Sequence, residues 1–193
     1  MVFQLLSYVS QTYFAFKEQA LCEHEPAGGH NAAKEGEGPH DHGCISSIED
    51  LIRQEYYIFD RLIEDETPAL FAHFKAFSVS PVLFTTTWFE TLFARTFTAR
   101  FLAKVWDFLF LSEQKHQVFA VGLALLKLES ANLLKQQGFE LLVASCKSLG
   151  SNITDISLLL KTAASFSATI HEKVLRFAED WAHPLTEKEY LCF

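Results

Sequence analysis

Residues 117–134 constrain the fold more than any other stretch of this sequence. Their apolar side chains do not form a single stripe, because they fall on most sides of a helix with about 3.6 residues per turn. These side chains are Val118, Phe119, Val121, Leu123, Leu125, Leu126 and Leu128. A helix that is apolar nearly all round has to be buried. We therefore predict a central helix here, enclosed by other parts of the chain.

Other segments carry apolar residues at spacings of three and four, which is typical of helices with one buried face. They are residues 1–21, 48–62, 69–77, 99–110, 139–149 and 153–181, and a further helix carries Phe84, Trp88, Leu92 and Phe93. In residues 99–110 the predicted buried stripe consists of Leu102, Val105, Trp106, Leu109 and Phe110. No stretch shows the alternation of a strand. The sequence therefore predicts an all-α fold.

Local signals predict where several of these helices begin and end. Thr67-Pro68 and Ser80-Pro81 each resemble an N-cap followed by proline at the first helical position. Gly138 interrupts the central helix, and Gly150 is suited to a helix C-cap. The three acidic residues that precede Thr67-Pro68 are expected to stabilise the positive end of the next helix; they are Glu64, Asp65 and Glu66.

Charge and composition exclude several classes of protein. The 16 basic and 24 acidic residues give a formal net charge of −8, so we expect no nucleic-acid partner. Four scattered cysteines do not form the disulfide framework of a small secreted domain, which favours a reducing, cytoplasmic location. The longest apolar run, residues 118–126, is far shorter than the roughly 20 residues that a transmembrane helix needs. We therefore predict no transmembrane segment.

The chain divides into four predicted parts. Residues 1–21 form a helix that begins at Met1 with no cap, which suggests a domain that starts in the middle of a fold. Residues 22–46 are a disordered Gly/His-rich, low-complexity insertion, residues 47–150 form a helical region, and residues 151–193 are an amphipathic helix and a tail. The insertion holds Cys22, His24, His30, His40, His42 and Cys44. Their spacing lacks a zinc-site pattern, so a solvated loop is the favoured interpretation and zinc binding the alternative.

No motif for catalysis or cofactor binding occurs in the sequence. It contains no GxxxxGK[ST] loop, no GxGxxG and no GxSxG. We therefore assign no catalytic residue, no cofactor and no metal ligand.

Several short sequence blocks between residues 68 and 142 resemble those of a known family. The blocks are PALFAH at 68–73, SP at 80–81, WFETLFARTF at 88–97, VWDFLF at 105–110, FAVGLALLKL at 119–128 and FELL at 139–142. In this order they resemble the second half of the TBC domain of Rab GTPase-activating proteins. The resemblance covers about residues 48–150, and the linked order of the blocks makes it specific.

The resemblance implies an all-α fold that binds a Rab-type GTPase and accelerates its GTP hydrolysis. It also implies a role in vesicle trafficking, in the cytoplasm or peripherally on endomembranes. In the family, the domain supplies two residues in trans to the bound GTPase. They are an arginine from an IxxDxxR motif and a glutamine from a YxQ motif, and both motifs precede the blocks found here. This sequence has neither motif: Ser47 replaces the isoleucine ahead of Asp50 and Arg53, and Tyr8 and Gln11 are one residue too far apart. We therefore expect a chain that is truncated or non-catalytic, a pseudo-GAP, with the missing N-terminal half as one potential partner.

Most of the matched residues are interpreted as core. Trp88, Phe93, Trp106 and Leu109 are expected to pack inside the fold, and Asp107 to reach solvent, a cap or a partner. Arg95 and Arg100 are the two further residues considered for a functional role. Arg95 is expected at a helix C-terminus, where a cation complements the helix dipole.

Two further hypotheses belong to other classes. The first is a non-catalytic adaptor or scaffold that binds a partner protein, with the helix at residues 153–181 as the docking element. The second is a zinc module built on the Cys/His insertion. If half a domain is missing, apolar faces of residues 1–21 and 117–134 are expected to be exposed, and the chain to associate.

Overall fold

The computed structural model describes residues 48–111 and 116–182, and within these ranges the chain forms α-helices and no strands. In chain order the helices are α1 (Ile48–Glu66), α2 (Pro68–Ala76), α3 (Val82–Glu90), α4 (Ala99–Leu111), α5 (Gln117–Leu133), α6 (Phe139–Lys147), the short α7 (Leu149–Asn152) and α8 (Ile156–Ala182). The all-α prediction is confirmed. The predicted helix at residues 1–21, the insertion at 22–46 with its Cys/His cluster, and the C-terminal tail lie outside the described residues.

Helix α5 is the centre of the molecule, as its sequence predicts. Every residue from position 117 to position 126 is buried. Six other helices enclose it, namely α1, α3, α4, α6, α7 and α8. Gly122 lets α1 approach closely, because a Cβ at this position would lie 2.8 Å from Cζ of Phe59. The expectation that residues 117–134 expose an apolar face is therefore wrong, since this chain's own helices cover it.

The long helix α8 packs along α5 and α1. Its buried side chains recur at intervals of three and four residues; they are Ile156, Leu159, Ala163, Phe166, Ile170, Val174 and Phe177. Asp155 caps the helix, since its Oδ1 accepts hydrogen bonds from the backbone N–H groups of Ser157 at 2.8 Å and Leu158 at 3.1 Å. This apolar face is buried inside the fold. This face is therefore not free to dock a partner, whereas Leu158 and Leu175 on the same helix are exposed.

An aromatic cluster joins α1, α3 and α5. The ring of Phe59 is edge-on to Phe89 at 5.1 Å and to Trp88 at 6.5 Å, and it stacks on Phe119 at 5.9 Å. All four side chains are buried. Aromatic pairs in these geometries contribute about 0.5–1.5 kcal/mol each beyond the burial of their surface. Of the 19 phenylalanines in the sequence, nine are buried in the core of the described residues.

Several predicted helix details are wrong. Thr67 does not cap α2 with its side chain, because its buried hydroxyl donates to the carbonyl oxygen of Ile63 at 2.9 Å instead. Pro81 itself is the N-cap residue of α3, and Ser80 lies outside the helix. Phe110 is 54% exposed and leaves the stripe that buries Leu102, Val105 and Trp106 on α4. Within residues 48–111 and 116–182, no helix has the length and hydropathy needed to cross a bilayer.

Gly150 is a helix residue and not the predicted C-cap. It lies in α7, between the end of α6 and the start of α8, and it is buried. A Cβ at this position would lie only 2.2 Å from the backbone oxygen of Thr96. Glycine is required here because α7 and the chain after α3 approach backbone to backbone.

Gly150→Ala tests this close approach. The added methyl group meets a backbone oxygen that cannot rotate away, so we expect the free energy of unfolding to fall by about 1–3 kcal/mol. Urea denaturation followed by circular dichroism measures the change. Ser151→Ala, at the exposed neighbouring position of the same helix, is the control and should change stability by less than about 0.5 kcal/mol. Equal stability of the two variants would contradict the close packing.

Asp60 gives a pH-dependent prediction. Burial raises the pKa of its carboxyl group, and the nearby Lys75 ammonium opposes this only in part. A raised pKa in the folded state means that stability is lost as the pH rises through that pKa. Asp60→Asn should therefore unfold at higher urea than the parent chain at pH 7. The difference should vanish below about pH 3.9, the usual Asp pKa, where the parent carboxyl is protonated in both states. A variant less stable at pH 7 would contradict the assignment.

Candidate functional site

The turn of residues 91–97, between α3 and α4, has the most unusual backbone in the described part of the chain. Leu92 has a φ of 45° and Phe93 a φ of 64°, in the left-handed region that large side chains rarely adopt. Such conformations cost on the order of 1–3 kcal/mol each and persist only where the surroundings hold them. They are found preferentially at functional sites. This turn is therefore the leading candidate for a functional surface.

The core holds the turn from both sides. Phe93 is fully buried and lies between the rings of Trp88 and Phe97, each 5.9 Å from it. The backbone N–H of Phe93 donates to the carbonyl of Trp88 at 2.9 Å. From α4, the indole Nε1–H of Trp106 donates to the carbonyl of Leu92 at 2.9 Å. The turn is thus fixed by a buried aromatic anchor and by a side-chain hydrogen bond at the strained residue.

The prediction that the matched residues pack inside the fold is confirmed, although Leu109 is only half-buried. Trp88, Phe93 and Trp106 are buried, and Leu109 is half-buried against them. Trp106 does more than fill space, because its indole N–H satisfies the carbonyl of Leu92. Sequence patterns do not reveal this second role, since the bond joins residues fourteen positions apart.

Two arginines border this turn. Arg95 is exposed on the turn, and Arg100 is exposed in the first turn of α4. The prediction that Arg95 complements a helix C-terminus is wrong, because α3 ends at Glu90, five residues earlier. Neither arginine forms an ion pair with another residue of the described ranges. Both guanidinium groups are therefore available for a carboxylate or phosphate of a partner.

A shallow groove lies further along α4, where α4, α5 and α8 meet. Its volume is about 620 Å³, and its lining includes Lys104, Asp107, Phe108, Leu111, Leu160 and Ala164. Asp107 is exposed at this groove, in agreement with the prediction that it reaches solvent. Exposed Phe110 and Leu111 extend its apolar rim at the end of α4. The groove thus combines the charged side chains of Lys104 and Asp107 with several apolar side chains.

The acidic cluster at the end of α1 has a different role from the predicted one. The Lys173 Nζ on α8 lies 2.8 Å from Glu66 Oε1 and 3.4 Å from Asp65 Oδ2. The Arg176 guanidinium lies 3.5 Å from the same Asp65 oxygen. The hydrogen bond to Glu66 raises the pKa of Lys173 despite the opposing effect of burial. These carboxylates tie α1 to α8, so the helix-dipole explanation is unnecessary.

No group of three or more metal-ligating side chains occurs among the described residues. The described cysteine, Cys146, is fully buried on α6, and burial raises the pKa of its thiol to about 12. A thiol in this state is not a nucleophile at neutral pH.

Comparison with known proteins identifies the family. Residues 40–134, which include α1 to α5 and the strained turn, match the Rab-GTPase-TBC domain. TBC1 domain family member 4 of Mus musculus is 35% identical over 143 residues, 72% of this chain and 11% of that protein. Ecotropic viral integration site 5 protein homolog of Homo sapiens is 37% identical over 79 residues, 41% of this chain and 10% of that protein.

A fungal relative extends the comparison. The GTPase activating protein Gyp51 of Schizosaccharomyces pombe is 35% identical over 116 residues, 56% of this chain and 11% of that protein. The chain thus spans about a tenth of the length of the curated relatives that it matches. Together with the all-helical fold, these matches show that the chain belongs to the TBC domain family and carries part of that domain.

Proposed function

We propose that this chain binds a Rab GTPase and does not by itself accelerate GTP hydrolysis. The match to the Rab-GTPase-TBC domain supports the choice of partner, as does the description of one relative as a GTPase activating protein. The single observation that carries the second half of the proposal is the absence of the IxxDxxR and YxQ motifs from the sequence.

The chemistry of GTP hydrolysis explains why these motifs matter. Charge develops on the transferred phosphoryl group, and an activating protein places a cation against that charge and helps to orient the attacking water. An arginine supplied in trans raises the rate by about 10³- to 10⁵-fold, which corresponds to about 4–7 kcal/mol. A chain that packs correctly and lacks this arginine keeps its binding surface and loses the acceleration.

Arg95 and Arg100 do not take the place of the missing arginine in this proposal. Arg95 lies on a turn whose backbone is fixed by buried Phe93 and by Trp106, so its Cα cannot advance toward a nucleotide without unfolding the turn. A rigid, exposed guanidinium is instead well suited to a bidentate contact with a surface carboxylate. We assign both arginines to recognition of the Rab surface.

The same proposal accounts for location. Binding to a Rab on an endomembrane would bring the chain to that membrane, and the unbound chain would stay in the cytoplasm. The adaptor hypothesis remains compatible with this function only as a partner of Rab. Its docking helix is not supported, because the apolar face of α8 packs on α5 and α1.

Single-turnover GTP hydrolysis by a panel of Rab proteins tests the proposal. With this chain in excess, we expect each Rab to hydrolyse GTP at its intrinsic rate within about twofold, against the 10³- to 10⁵-fold effect of an arginine finger. The same Rab panel, loaded with a GTP analogue, should include at least one member that binds the chain in a titration calorimeter. Acceleration of about a hundredfold or more would contradict the proposal.

Charge-reversal variants locate the binding surface. Arg95→Glu and Arg100→Glu should each weaken Rab binding at least tenfold, because like charges then face the partner's carboxylates. Lys161→Glu, an exposed cation on α8, is the matched control and should bind as the parent chain does. If the control weakens binding as much as Arg95→Glu, the turn is not the recognition surface.

Arg53 is tested in the hydrolysis assay. If this chain accelerates GTP hydrolysis and Arg53→Ala abolishes that acceleration, Arg53 acts as an arginine finger and the proposal is wrong.

A further inference from the structure

Two histidines meet where α5 and α8 cross. The Nε2 of His116 lies 2.6 Å from the Nδ1 of His171, and the ring centroids are 4.8 Å apart. The two residues are 55 positions apart in the sequence, so the contact is made by the packing of the helices. Sequence spacing does not reveal this pair, because the two histidines lie on different helices and are far apart along the chain.

Both backbones at this contact are held rigidly. His116 is the N-cap residue of α5, and its carbonyl accepts the backbone N–H of Phe119 at 3.0 Å. His171 follows Ile170, which is fully buried against the core. One turn earlier on α8, the hydroxyl of Ser167 donates to Oε1 of Gln117. Both polar contacts therefore join α5 to α8 on the same side of the two helices.

Facing imidazole nitrogens at the junction of two rigid helices are a pair of preorganised nitrogen donors. We propose that His116 and His171 together bind one divalent transition-metal ion of the Cu²⁺, Ni²⁺ and Zn²⁺ class, which prefers imidazole ligands. One ring now donates its proton to the other. On metal binding that ring carries its proton on its other nitrogen, so that both facing nitrogens present lone pairs and no net proton is released.

The geometry needs little adjustment. Zn–N bonds are about 2.0–2.1 Å long, so two nitrogens on a tetrahedral ion lie about 3.3 Å apart. The present separation is 2.6 Å, and His171 is exposed, so a small rotation of its side chain opens the required space. The two histidines would supply two of the ligands of the ion. The bound ion would cross-link α5 and α8.

Metal-dependent thermal unfolding tests the site. The chain also contains Cys22, His24, His30, His40, His42 and Cys44, which could bind metal themselves, so the starting protein carries Ser for both cysteines and Ala for the four histidines. In this background, Cu²⁺, Ni²⁺ or Zn²⁺ at about 100 times Kd should raise Tm by on the order of 5 °C relative to EDTA. Mg²⁺, which prefers oxygen ligands, should have no effect.

Single substitutions assign the ligands. His171→Ala and His116→Ala should each abolish the metal-induced rise in Tm. His73→Ala removes a histidine elsewhere in the fold, on α2, where its Nε2 lies 3.0 Å from the carbonyl oxygen of Gln136, and it should leave the rise intact. In the same background, the electron paramagnetic resonance spectrum of bound Cu²⁺ should show nitrogen ligands that His171→Ala removes. No rise with any of the three ions, or a rise that survives His171→Ala, would overturn the proposal.

Discussion

The burial of residues 117–126 of α5 on all sides is the constraint on which the rest of the structure depends. A helix with no polar face is stable only when other elements remove it from water, and six helices do so here. Gly122 is part of this arrangement, because only a residue without Cβ lets the Phe59 ring approach to its observed position. The aromatic cluster and α8 therefore follow from the same requirement. They supply the contacts that bury the side chains of residues 117–126.

The core in turn determines the candidate site. Burying Phe93 and satisfying the carbonyl of Leu92 with Trp106 offset the cost of two positive φ angles. Without this support the turn would relax, and Arg95 would lose its fixed position. The tryptophans and phenylalanines of this region thus have two roles. It fills the core, and it shapes the surface that we propose for recognition of a Rab.

The sequence predicted those features that depend on periodicity. The burial of α5, the apolar face of α8 and the core positions of Trp88 and Trp106 all follow from spacings of three and four. It failed where a distant partner changes the role of a residue. The Thr67 hydroxyl bonds back to Ile63, Gly150 meets Thr96, and the carboxylates ahead of Thr67 pair with α8. The strained turn was also missed, since nothing local in Leu92 or Phe93 favours a positive φ.

We propose that this chain keeps a Rab-binding fold and lacks the groups that stabilise the transition state of hydrolysis. A protein that accelerates a reaction binds a transition-state analogue more tightly than the ground state. The most direct measurement is the affinity of the chain for one Rab in two forms, loaded with a non-hydrolysable GTP analogue or with GDP and aluminium fluoride. We expect the chain to bind the GTP-analogue form and the aluminium fluoride form with equal affinity. An affinity for the aluminium fluoride form higher by about a hundredfold or more would contradict it.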